Sequence, residues 1–167
     1  MRKDLLIVAV MAGMVLACNN NTEEKKATGM DTMDHASMNH DATSNMPAVP
    51  EVPAGAKVFF ANLKDGEMVS SPFKVQMGVE GMSVDTANGI IKPASGHHHI
   101  LIDGPDSLAS GTSVPKDSVH LHFGNAQTET ELKLSPGMHT LTLQFADALH
   151  RSYGGRLAAK ITVNVKK

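Results

Sequence analysis

The sequence predicts an all-β fold: a seven-stranded, immunoglobulin-like antiparallel β-sandwich that follows a disordered N-terminal tether. Three observations carry this expectation. From Lys57 onward, apolar residues alternate with polar ones in short runs, the period-2 signature of strands buried on one face. These runs are separated by Gly, Pro, Asn and Asp, the residue types that tight turns demand. No stretch sustains a 3.6-residue apolar period, so helices are expected to be minor. With 167 residues and 41% hydrophobic content, the chain can build one domain with its own core, plus tails.

Residues 1–17 are expected to lie outside that fold. Arg2 and Lys3 precede an apolar run from Leu5 to Leu16, and Ala17 leads to Cys18, which is the order of a secretory signal. The run is too short for an ordinary membrane-spanning helix. "VLAC" resembles the bacterial lipobox, which implies a lipoprotein signal peptide over 1–17, a covalent lipid on Cys18 and a membrane held through that anchor. In bacterial lipoproteins an Asp after the cysteine commonly signals inner-membrane retention. Asn19 stands there instead, which implies an outer-membrane lipoprotein facing the periplasm, with surface exposure as the alternative. Cys18 is the only cysteine, so the mature domain has neither a disulfide nor a thiolate ligand. Any metal chemistry must use His, Met, Asp or Glu.

Residues 18–56 form the expected linker. The composition shifts there to Asn, Thr, Ser, Ala, Glu, Lys, Asp and Pro, too poor in β-branched and aromatic residues to build a core. Its closing "MPAVPEVPAG" favours extended polyproline II. Within the linker, Met30, Met33, Met38 and Met46 alternate with His35 and His40. Thioether and neutral imidazole are ligands that suit copper, and unlike thiolates they persist in an oxidising compartment. The stretch is similar to Met/His-rich segments of bacterial copper-handling proteins, although compositional drift of a linker would give the same residues.

The third segment, 57–167, is the expected sandwich. Its strands are expected at 57–63, 73–79, 97–103, 118–124, 128–134, 138–145 and 158–165, with at most a turn or two of helix in 146–153. Phe73, Val75, Met77 and Val79 share one face of their strand, as do Ile161, Val163 and Val165. Leu141, Leu143 and Phe145 share another, and the same parity turns His139 inward. There it is expected to act as a polar corner residue bonded to nearby backbone, in the manner of the tyrosine of immunoglobulin corners.

The histidines are the most pointed feature. In "SVHLHFG" the core face is expected to carry Val119, Leu121 and Phe123, which puts His120 and His122 together on the other face. In "HHHILID", inward Ile100 and Ile102 take His98 with them and leave His97 and His99 outside with Leu101; a reversed parity would leave His98 alone outside. If the two strands pair, opposed Cβ atoms lie about 4.5–5.5 Å apart, close enough for imidazoles from both to share one ion. His97, His99, His120 and His122 are therefore the candidate ligands of the folded domain, with His98, His139 and His150 as further candidates. Asp103 and Glu129 are the carboxylates expected to accept from the other ring nitrogen and so fix the tautomers. A ladder of ordinary hydrogen-bonded histidines is the competing reading.

Other classes find less support. A net charge of −2 without a basic stripe argues against nucleic acid. Aromatic residues make up 4%, with no Trp, so stacking platforms are scarce. There is no nucleophile motif, no HExxH and no phosphate-cradling glycine loop, so no enzyme is expected.

Taken together, "VFFANLKDGEMVSSPFKVQMGVEGM", "GHHHILID" and "HLHFGNAQTETELKLSPGMHTLTLQFAD" resemble a family of small bacterial exported domains known only as a domain of unknown function. The likeness covers nearly all of 57–165. It implies an exported β-sandwich and assigns no reaction. Where family members continue after "AD" with a His and a Pro-rich loop, this chain keeps His150 without the prolines. The function expected from all of this is that of a lipid-anchored envelope protein binding a transition metal, copper or alternatively zinc, for buffering or delivery. The alternative is a metal-free structural or protein-interaction module with another envelope protein as its partner.

Overall fold

The structure is a computed structural model and describes residues 46–167. Nine strands follow in chain order: β1 (Lys57–Phe60), β2 (Glu67–Val69), β3 (Phe73–Glu80), β4 (Ser83–Val84), β5 (Ser95–Ile102), β6 (His120–His122), β7 (Glu129–Leu132), β8 (Gly137–Ala146) and β9 (Ala158–Val165). A 3-10 turn at Gly155–Leu157 is the only helical element among the described residues. All seven expected strands are present, several of them shorter than expected. β2 and β4 are additions of three and two residues, too short to register as an alternating run.

Two sheets enclose the core. One has the order β1-β3-β7, and the other β2-β9-β8-β5-β4, with β6 also paired to β5. The expected all-antiparallel pairing needs correcting, because β2 runs parallel to β9 and β4 parallel to β5. Both exceptions are short segments laid along an edge, which needs no hairpin turn. The parity argument holds for the core: Phe73, Val75 and Met77 of β3 and Leu132 of β7 meet Ile100, Ile102, Leu141, Leu143, Phe145, Val163 and Val165 of the larger sheet. Val119 is a correction, since it is exposed outside the three-residue β6; Leu121 packs against the core and Phe123 is buried in it.

The outer face of β5 and β8 is also buried. Thr142 and Gln144 sit on that face with no exposure, satisfied by two long loops laid across them. Thr142 Oγ1 donates to Pro105 O at 3.0 Å, Gln144 Oε1 accepts from Leu108 N at 2.9 Å, and Gln144 Nε2 donates to Gly154 O at 3.2 Å. Loops 103–118 and 147–157 thus roof the sheet, and the roof encloses His97 and His99 of β5.

The boundary expected between linker and domain also moves. Val49, Val52 and Ala56 pack against the core, and Arg151 donates to the carbonyls of Pro47 and Ala48. Residues 46–56 therefore belong to the folded unit.

Candidate metal centre

β5 supplies two imidazoles from its outer face. His97 and His99, two residues apart on one strand, point to the same side, and the roof leaves them 0% and 1% exposed. β6 supplies the third, because the antiparallel register sets His122 directly opposite His99. Gly124 lets that ring settle: a Cβ at Gly124 would stand 2.3 Å from His122 Nε2.

The fourth imidazole comes from the roof. His150 adopts a left-handed backbone conformation, φ 63°, uncommon for a residue with a side chain. Its loop is tied down on several sides. The buried carboxylate of Asp147 accepts from Leu149 N at 2.9 Å, Arg151 N at 3.0 Å and Arg151 Nε at 2.8 Å, and Val114 N donates to His150 O at 2.9 Å. These ties hold His150 against the sheet.

The four rings converge. His97 Nε2 lies 2.9 Å from His99 Nε2, and His122 Nε2 lies 3.1 Å from His150 Nε2. Ring nitrogens of His97, His122 and His150 all fall within 4.8 Å of one another. Ring centroids are 4.7 Å apart for His97–His99 and His122–His150, 5.0 Å for His97–His122 and His97–His150, 5.1 Å for His99–His122 and 6.1 Å for His99–His150.

Burial favours the neutral form of His97, His99 and His122. Desolvation pulls His97 down to about 4, helped by the neighbouring His150 and His122, and His99 down to about 2, helped by His97 and His122. His122 is lowered by burial, by His150 and by Lys116. Neutral imidazole is the ligating form. In each close Nε2 pair of neutral rings, one nitrogen donates and the other accepts. Nδ1 of His97 and of His99 is buried with no hydrogen-bond partner among the described residues. The carboxylates expected to accept from the outer ring nitrogens are engaged elsewhere: Asp103 with His139, and Glu129 with Lys74 and Gln76.

The remaining candidates lie apart from this cluster. His120 stands opposite Leu101, two pairs along the ladder from His99 and His122, and its Nδ1 is held at 2.9 Å by the Asp117 carboxylate. His98 faces the core, 4.9 Å from the Phe145 ring centroid, where burial pulls it down to about 4. His139 forms the corner expected of it: Nδ1 is 2.8 Å from Asp103 Oδ2 and Nε2 is 3.0 Å from Ser135 O. Ser135 Oγ is 3.4 Å from the same Nε2, which gives Asp, His and Ser the order of a hydrolytic triad. A carbonyl oxygen can only accept, however, so Nε2 carries a proton and is not free to act as base for Ser135. Met30, Met33, His35, Met38 and His40 lie outside the described residues. Met46 is exposed.

The cluster lies within 75–166, the residues matched by the profile of a domain of unknown function, DUF4399. The chain belongs to the DUF4399 family. No curated protein and no solved structure matches it. Within this DUF4399 domain, what sequence reasoning underweighted was His150. Its loop has no periodicity to reveal a facing, and the only local signal was an Asp and an Arg flanking it.

Proposed function

We propose that this DUF4399 protein is a lipid-anchored envelope protein that holds a transition-metal ion, copper in the first place and zinc as the alternative. The pocket would be His97, His99, His122 and His150, and the task buffering or delivery. The observation that carries the reading is the convergence of four largely enclosed imidazoles from three separate segments, two pairs of them with Nε2 atoms 2.9 and 3.1 Å apart. Bonds of about 2.0–2.1 Å from each nitrogen to a common ion require separations close to these. The anchor rests on Cys18 and the signal-like residues before it, and the Met/His stretch upstream supports the choice of copper. For the fold, the two facing sheets and the His139 corner support an immunoglobulin-like sandwich.

The test is isothermal titration with elemental analysis on the full chain, on a form lacking 19–45, and on His97→Ala, His122→Ala and His150→Ala. One ion per domain, retained without the tether and lost in each variant, is expected. His120→Ala should keep the ion. A domain that takes up no copper or zinc would turn the reading to a metal-free interaction module.

A further inference from the structure

We infer that the four-histidine pocket selects a monovalent ion with a filled d shell, Cu(I) or Ag(I), over a divalent one. This rests on the metal-binding reading above and specifies its cargo.

Geometry narrows the choice first. A square of four rings with sides of about 5 Å, as Cu(II) favours, would have both diagonals near ~7 Å. Here the longest separation, His99–His150, is 6.1 Å, and the pair that would form the other diagonal, His97–His122, is only 5.0 Å apart. The rings stand at the corners of a slightly flattened tetrahedron. That arrangement suits ions with no d-electron preference, such as Zn(II), Cu(I) and Ag(I).

Charge then separates Zn(II) from the other two. Imidazole is an uncharged ligand, and the carboxylate that acts on the cluster, Asp147 beside His97, is itself neutralised by its ion pair with Arg151. Asp117 is paired with His120, and Asp103 with His139. Lys116 acts on His122 as a further positive charge. Desolvation cost grows with the square of the ion's charge, so a divalent ion in this enclosure loses far more hydration than a monovalent one.

The outer nitrogens point the same way. A divalent ion polarises the ligating imidazoles strongly, and zinc sites commonly give each ring an acceptor for its other N–H. Nδ1 of His97 and Nδ1 of His99 have none among the described residues. A singly charged ion makes the lesser demand on those N–H groups.

The full chain, labelled with 15N at histidine, tests this when titrated anaerobically with Ag(I), Cu(I) and Zn(II) in separate samples. Ring nitrogens are followed rather than total stoichiometry, because thioethers elsewhere in the chain also bind soft ions. Zn(II) shares the filled shell and the geometry, so the comparison isolates charge. Ag(I) and Cu(I) are expected to shift the rings of His97, His99, His122 and His150 together, with apparent affinity about tenfold or more above Zn(II). Equal or tighter binding of Zn(II) at those rings overturns the selectivity and leaves the metal centre standing. If no ion moves them, the metal centre and the selectivity fall together.

Discussion

His98 shows what burial costs when no partner is supplied. It lies on the core face of β5 with no exposure, and neither ring nitrogen has a hydrogen-bond partner among the described residues. Each such group carries a desolvation penalty of about 1–3 kcal/mol, partly offset by contact with Phe145. His98→Leu, close in volume and apolar, should therefore raise stability by roughly 1–2 kcal/mol in denaturant unfolding. A loss of stability would mean that the ring has a partner after all. Gly124 poses the opposite problem, because its missing Cβ is what leaves room for His122. Gly124→Ala should displace that ring and weaken metal binding about tenfold or more, with little change in the unfolding midpoint. Unchanged metal affinity in the titration would show that the ring can hold its place beside a methyl group.

β8 is the element whose two faces were hardest to read. Its core side, Leu141, Leu143 and Phe145, followed from alternation alone, and so did the opposed orientations of His98 and of His97 with His99 on the partner strand β5. What alternation could not reveal was that the other side is buried as well. The cover comes from loops 103–118 and 147–157, which have no period and are held by hydrogen bonds to Thr142 and Gln144. His120 and His122 shared a face in sequence as they do in the fold; the Asp117 carboxylate, three residues upstream, decides their different fates. At its start β8 carries a pH-dependent tie. The hydrogen bond to the Asp103 carboxylate, with help from Ser135 O, raises His139 above its ordinary value. A raised folded-state pKa means that this stabilisation is fully present below the unfolded value of about 6.5 and is lost as pH rises through the folded one. The stability gap between the natural chain and Asp103→Asn should accordingly be widest in mildly acidic solution and narrow on the alkaline side. A gap that stays constant from pH 5 to 9 would remove His139 protonation from the account.

Across the whole molecule, the sequence located the domain and its class but misplaced where folding begins. Prolines and the absence of a β run made 46–56 read as linker, since composition reports the lack of a period and not docking onto a finished surface. In the structure Val49 and Val52 are partly buried against the core, and the Arg151 guanidinium reaches the carbonyls of Pro47 and Ala48. Arg151 also pairs with Asp147 and follows His150 in the chain, so these contacts bear on the roof of the histidine pocket. Two half-buried valines contribute about 1 kcal/mol each, and charge-assisted hydrogen bonds of this kind are worth about 1.5–3 kcal/mol. A chain begun at Lys57 should thus be less stable than one begun at Met46 by roughly 3–5 kcal/mol in chemical denaturation. It should also bind metal more weakly, because the loop presenting His150 loses part of its support. Equal midpoints and equal affinities would place the true start of the domain at Lys57, where alternation had put it.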